Sequence, residues 1–170
     1  LLQTKPHPIQ LLLEMLNCEW TVPMKAAVLD ALTAFCAPRK DAADDDVFNR
    51  TVDHYDRISY PESNRVDPRA GQRPPEPHGW LKALESIEQD GSYPLTRAYI
   101  RFLTALLSGA TSNLRIALLL RRAAEFVLRQ LAFVAERPFA RSSERWEMLD
   151  EALAFVEKAL LGLDMTDLLA

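Results

Sequence analysis

Three histidines and two cysteines are the residues of this chain that could most readily bind a metal or act as nucleophiles. They are His7, His54, His78, Cys18 and Cys36. The histidines are scattered, and none has a second ligand at the i, i+4 spacing that a zinc-binding HExxH helix requires. The cysteines lack CxxC spacing and lie beside apolar residues, which indicates reduced packing thiols in a reducing compartment. We therefore expect no metal site and no cofactor.

An acidic cluster is the second candidate for chemistry. It comprises Asp44, Asp45 and Asp46, with Asp53 and Asp56 nearby. These carboxylates lack the glycine turn and the distal glutamate of a calcium loop. Acids at a helix start interact favourably with the helix dipole, so we interpret the cluster as a solvated helix start. The sequence also has no phosphate-binding glycine loop and no GxSxG elbow, and we expect no enzymatic activity.

Positive charge is concentrated in one part of the chain. Residues 97–145 carry 9 basic and 3 acidic residues, whereas residues 146–170 carry 1 and 6. The basic residues are Arg97, Arg101, Arg115, Arg121, Arg122, Arg129, Arg137, Arg141 and Arg145. Clustered arginines can bind nucleic-acid phosphates. Because an acidic helical segment follows directly, we favour charge complementarity between helices and do not expect nucleic-acid binding.

Apolar residues recur at helical spacing in the first third of the chain. Residues 9–16 predict a short helix entered through Pro8. A second predicted helix starts at Pro23, which suits a first turn, and stops before Pro38. Residues 41–58 show a weaker period and predict a third helix. The predicted core stripe of the second helix is Met24, Ala27, Val28, Ala31, Leu32 and Phe35.

The cleanest helical period belongs to a helix that we expect to start at Pro94 and to end at Gly109. Phe102 lies at the centre of its apolar stripe, so we expect this side chain to be fully buried. Arg101 lies about 100° away around an ideal helix, so we expect it to be exposed and tolerant of substitution. The apolar positions are Leu95, Ala98, Tyr99, Phe102, Leu103, Leu106 and Leu107.

Three further helices are predicted in the second half of the chain. One covers residues 80–87 and closes at Gly91, and a long one covers residues 114–136 and is broken by Pro138. The last has apolar residues at alternating spacings of three and four. They are Trp146, Leu149, Leu153, Val156, Leu160 and Leu163. Because Trp20, Trp80 and Trp146 each begin a helix on its apolar stripe, we expect their indoles to pack between helices. The alternative is an exposed anchor for a partner protein.

Residues 59–79 combine several prolines with polar neighbours and predict a long mobile loop. Elsewhere, consecutive helices with short connections predict an all-α fold, an irregular α-solenoid segment of stacked antiparallel helices. We expect one domain over residues 1–170. The chain begins without Met and ends in an apolar patch, which suggests a fragment of a longer protein without a signal peptide. Apolar runs such as residues 116–120 are much shorter than the roughly 20 residues of a membrane span.

Three stretches carry a likeness to a known family. The first is residues 22–32, and the second runs from Ile87 to Leu107 and contains the most specific run, Tyr93-Pro94-Leu95-Thr96-Arg97-Ala98. The third is Glu144-Arg145-Trp146-Glu147, followed by Leu153, Phe155, Val156 and Leu160. In this order, they resemble the giant inner-ring scaffold nucleoporins of the nuclear pore complex, in particular the branch of the larger vertebrate member and its fungal counterpart.

This resemblance implies a function that the residues alone do not specify. It implies a middle segment of a large α-solenoid at the nuclear envelope that organises other nucleoporins and supports nucleocytoplasmic transport. The implied partners are linker nucleoporins with short helical motifs, without a small-molecule substrate or membrane insertion. Two other classes stay open: a transport-receptor or adaptor repeat that recognises peptide motifs, and a helical enzyme or RNA binder that uses the arginine-rich segment.

Overall fold

The computed structural model describes residues 7–16, 21–36, 88, 91–109 and 114–162, without the side chains of 109, 114–122 and 162. These residues form five helices and no strand. In chain order the helices are α1, Pro8–Leu16; α2, Val22–Phe35; α3, Pro94–Gly109; α4, Leu114–Phe133; and α5, Ser142–Gly162. The predicted all-α class is confirmed for this part of the chain.

Proline and glycine set the helix ends, as their backbone chemistry requires. Pro8 and Pro94 are the first residues of α1 and α3, and Pro23 lies in the first turn of α2, where a missing N–H removes no helical hydrogen bond. Gly109 is the last residue of α3. The long helix ends at Phe133, three residues earlier than predicted, and a turn over residues 134–136 leads to Pro138.

Helix α3 is the centre of the described fold. It packs most extensively against α2 and next against α5, and it also contacts α4. Every side chain from Leu95 to Leu107 is buried or half-buried. Phe102, which is 1% exposed, confirms the prediction that it is buried. A helix whose whole circumference is covered needs neighbours on several sides, and α2, α4 and α5 supply them.

The remaining helices each bury one sector. Ile9, Leu13 and Leu16 form the buried side of α1, which packs against α2. On α4, the Phe126 ring meets Tyr99 of α3 edge to face, with ring centroids 5.1 Å apart. This geometry places the negative face of one ring near the positive edge of the other.

The core stripe predicted for α2 is partly wrong. Met24 is 43% exposed and Ala27 is exposed, although Val28 and Leu32 are buried as expected. The buried sector is rotated from the predicted one by roughly one residue, about 100°. Apolar residues cover most of the circumference of α2, so its neighbours decide which sector is inside. The buried residues are Lys25, Ala26, Val28, Leu29 and Leu32.

Several sequence predictions concern residues outside the described ranges. These are the helix at 41–58, the mobile loop at 59–79, the helix at 80–87, and the packing of Trp20 and Trp80. They stay predictions.

Candidate functional site

The residues first considered for metal or thiol chemistry are not brought together in the described part of the chain. There, no group of three or more His, Cys, Asp or Glu side chains is placed to hold a metal ion. Burial raises the pKa of the Cys36 thiol to about 11, which disfavours its reactive thiolate at neutral pH. His54, His78 and Cys18, together with the acidic cluster at 44–46, lie outside the described ranges.

Charged side chains converge where α2, α3 and α5 meet. We call this group the charge clamp; its members are Asp30, Arg97, Arg101, Glu147 and Glu151. Arg97 binds Glu151 in a bidentate manner, with Nε–Oε2 at 3.1 Å and Nη2–Oε1 at 2.9 Å. Its Nη1 atom lies 2.6 Å from Oε2 of Glu147. The planar guanidinium fork matches a carboxylate in this geometry, which makes the pair directional.

Arg101 extends the clamp to α2. It donates through Nη2 to Oδ1 of Asp30 at 2.6 Å and through Nη1 to Oε1 of Glu151 at 2.7 Å. Its side chain is 35% exposed, so Arg101 is partly exposed, and it makes ion pairs with two other helices that were not predicted. The sequence could not show this, because the two acids lie 71 and 50 residues away along the chain.

The clamp keeps both arginines charged. Burial alone lowers the pKa of Arg97, but its hydrogen bonds and the charges of Glu151 and Glu147 outweigh burial and raise that pKa above its ordinary value. Burial likewise opposes charge on Arg101, and Asp30 and Glu151 raise its pKa. In this arrangement the two arginines join α3 to α2 and to α5 through ion pairs.

A second polar group fixes the start of α3. The buried Glu88 carboxylate accepts hydrogen bonds from the Leu95 amide at 2.6 Å, the Thr96 amide at 3.1 Å and the Thr96 hydroxyl. Two backbone N–H groups of the first turn, which have no partner within the helix, are thereby satisfied. Desolvation raises the pKa of Glu88 above its ordinary value, although these hydrogen bonds and Arg137 act to lower it.

The segment before α3 also contacts the connection between α4 and α5. The Tyr93 hydroxyl donates to the Pro138 carbonyl at 3.0 Å. The centroids of the Tyr93 and Phe139 rings are 5.0 Å apart. The Arg137 guanidinium lies over the Tyr93 ring, 5.4 Å from its centroid, a cation–π geometry. Gly91 has a φ of +82°, and its carbonyl accepts the Ala140 amide at 2.8 Å. A side chain at Gly91 would place its Cβ 3.0 Å from that amide nitrogen.

The run from Tyr93 to Ala98 is therefore a packing motif. Tyr93 contacts the α4–α5 connection, Thr96 binds Glu88, and Arg97 belongs to the charge clamp. Leu95 and Ala98 are buried. Tyr93, Thr96 and Arg97 thus join this run to other parts of the chain, and Leu95 and Ala98 add buried apolar surface.

The last helix presents apolar side chains outward. Trp146, Leu153 and Leu160 are 65%, 53% and 58% exposed, so the expectation that Trp146 packs between helices is wrong. We call these three residues the apolar face of α5. Leu149 and Val156, the intervening members of the predicted stripe, are half-buried. The side of α5 that packs into the core carries Met148, Ala152 and Phe155 instead.

The rotation of α5 serves both the charge clamp and the core. Glu147 and Glu151 point toward Arg97 and Arg101 on α3. Met148 and Phe155, three residues before and four residues after Glu151, are buried, as is Ala152. The apolar face lies on the opposite side of the helix and points to solvent. Helical spacing showed that α5 has an apolar stripe, but only contacts between helices show which of its two stripes is inside.

Two exposed acids lie beside the apolar face. Asp150 is four residues after Trp146, and Glu157 is four residues after Leu153 and three before Leu160, so all five share one side of the helix. Asp150 and Glu157 are both exposed. This side of α5 therefore combines large apolar side chains with negative charge.

Comparison of this chain with protein-family models, with curated proteins and with solved structures finds no match. Of the helices in the described ranges, none combines the length and hydropathy that a membrane span requires. What the described geometry offers is a set of inter-helix contacts and one exposed apolar face.

Proposed function

We propose that this chain is a non-enzymatic α-solenoid segment that serves as a scaffold in the inner ring of the nuclear pore complex. The observation that carries the proposal is the position of the three stretches that resemble inner-ring scaffold nucleoporins. They fall on α2, α3 and α5, the helices that the charge clamp joins. Each stretch contributes a clamp residue: Asp30, Arg97 and Glu147, respectively.

The chemistry of the described residues supports a structural role. In the most specific run, Tyr93 to Ala98, the side chains are used for capping, packing and inter-helix ion pairs. Two arginines of the basic segment pair with acids of α5, which supports charge complementarity between helices over binding to phosphates. Such a segment acts by holding neighbouring proteins in place at the nuclear envelope.

An affinity-capture experiment tests this proposal. The tagged chain is incubated with nuclear-envelope extract, and captured proteins are identified by mass spectrometry. We expect enrichment of inner-ring and linker nucleoporins relative to a Phe102→Asp variant, in which a charge in the core should disrupt folding. If the folded chain captures no pore component above this control, the proposal is wrong.

A second function is favoured by the exposed apolar face of α5. A helical-repeat module of the transport-receptor or adaptor type would use such a surface to bind peptide motifs. The same experiment separates the two functions. Enrichment of soluble cargo proteins without pore components would favour the receptor or adaptor.

A further inference from the structure

We propose that the apolar face of α5 is a docking site for a basic amphipathic helix of a partner protein. Its residues are Trp146, Leu153 and Leu160, with Asp150 and Glu157 on the same side of the helix. This inference deepens the proposed scaffold function, on which it rests, by naming the site and the chemistry of the partner.

The spacing of the apolar residues specifies a helical occupant. Trp146, Leu153 and Leu160 are seven residues apart, and the half-buried Leu149 and Val156 lie between them at alternating spacings of three and four. This is the a/d pattern whose side chains insert between those of a facing helix. The other side of α5 is already packed in the core, so the facing helix must lie on the solvent side.

The flanking charges favour a basic occupant, since the two acids Asp150 and Glu157 outnumber the one flanking base, Arg145. Asp150 and Glu157 follow Leu149 and Val156 by one residue, which places them at the flanking e positions of the heptad. Lysine or arginine residues beside the apolar stripe of the partner helix would meet both acids. The e and g positions set partner choice in such pairs, and complementary charge there favours a basic helix.

The same charges disfavour a second copy of this chain as the occupant. In an antiparallel pair of α5 helices, the acidic e positions of the two copies face each other and repel. In a parallel pair, each e position faces a g position of the other copy. The g positions are Arg145, Ala152 and Ala159, so Asp150 would meet Arg145. Glu157 would be matched only with Ala152, which is buried in the core and carries no charge. Self-pairing leaves an acid unmatched in both orientations.

A binding titration with purified components tests the inference. The probe is a synthetic amphipathic helical peptide of about three heptads, with leucine at a and d and lysine at e and g. A second peptide carries glutamate in place of lysine. We expect the lysine peptide to bind the chain at least about tenfold more tightly than the glutamate peptide, and its affinity to fall as salt is added.

Matched variants locate the binding on α5. Leu153→Asn should weaken binding of the lysine peptide by about tenfold, which corresponds to about 1.4 kcal/mol. Leu128→Asn, which alters a leucine on α4 that is 54% exposed, should leave binding unchanged. The double variant D150N/E157Q should reduce the preference for the lysine peptide by about threefold or more, since exposed charge pairs contribute modestly.

Three outcomes would overturn the inference. They are equal affinity for the two peptides, equal effects of Leu153→Asn and Leu128→Asn, and a concentration-dependent dimer in sedimentation velocity that Leu153→Asn abolishes. The last would show that a second copy occupies the face. Nucleoporin capture from extract can fail while the lysine peptide still binds, or succeed while it does not, so the two proposals fail separately.

Discussion

The guanidinium of Arg101 serves two helices at once, since it donates to Asp30 on α2 and to Glu151 on α5. Its neighbour Phe102 is 1% exposed and points into the core. One side chain contributes through charge at a partly solvated junction, and the other through burial of apolar surface. The two contributions should differ in size and in their response to salt.

Phe102→Ala should destabilise the fold by about 3–5 kcal/mol, because it removes buried contacts and leaves a cavity. Leu128→Ala removes a side chain that is more than half exposed and should have a small effect. Chemical denaturation of the two variants and the parent chain measures the difference. A loss for Phe102→Ala no larger than that for Leu128→Ala would contradict the central position assigned to α3.

At the level of the helices, α3 depends on a capping group that lies outside it in sequence. Glu88 precedes the helix by six residues and satisfies two of its first N–H groups. Desolvation raises the pKa of this buried carboxyl, so its protonated form is favoured more in the folded state than in the unfolded state. The stability of the fold must then respond to pH through Glu88.

The direction of that response follows from linkage. The pKa of Glu88 in the folded state lies above the ordinary value of 4.5. The stabilisation that protonated Glu88 gives the fold is therefore fully present below pH 4.5, and it is lost as the pH rises through the folded pKa. We expect the parent chain to gain stability relative to Glu88→Gln as the pH is lowered toward 4.5. Denaturation midpoints of the two proteins across this range measure it. If the parent chain instead gained stability relative to Glu88→Gln as the pH was raised, this direction would be contradicted.

Four helix ends could be predicted because their signals are local, whereas α4 ends three residues before its predicted position. Pro8, Pro23 and Pro94 mark first turns, and Gly109 marks an end, whatever the rest of the chain does. Which side of a helix faces the core cannot be predicted from local signals when apolar residues occupy more than one stripe. On α5 the observed rotation buries Met148 and Phe155 and pairs Glu151 with arginines about 50 positions away, and sequence periodicity does not contain these long-range contacts.

For the same reason, the candidate docking site could be predicted only in part. The alternating spacing from Trp146 to Leu160 is present in the sequence, and it is the a/d pattern of a helix that packs against another helix. It predicts a core stripe, because an apolar stripe usually belongs to the core. Burial at Met148, Ala152 and Phe155 shows that the core uses the other side of α5.

Across the described fold, the charge clamp is the feature that joins segments distant in sequence. Glu151 is its centre, since it accepts from both arginines and its side chain is only 15% exposed. Losing this carboxylate charge leaves each arginine with one acid, Glu147 or Asp30. Removing the Glu151 charge should therefore reduce the stability of the fold more than removing an acid that points to solvent.

Glu151→Gln should lower the free energy of unfolding by about 1.5–3 kcal/mol, the range for hydrogen bonds to charged groups. The exposed Glu157 on the same helix is the control, and Glu157→Gln should leave stability close to that of the parent. Urea denaturation at low and high salt measures both. High salt should reduce the difference in free energy of unfolding between the two variants, because it screens the ion pairs. Equal effects of the two variants would contradict a stabilising clamp.

The central position of α3 has a consequence for synthesis of the chain on the ribosome. Helix α2 is made before α3, but the end of α5 follows the end of α3 by about 50 residues. At roughly 5 to 20 residues per second, this delay lasts about 3 to 10 s. During it, the side of α3 that α5 later covers lacks Met148, Ala152 and Phe155, and Arg97 lacks both of its acids. The nascent chain at this length should therefore be a substrate for ribosome-associated chaperones, and release of those chaperones should coincide with the emergence of α5.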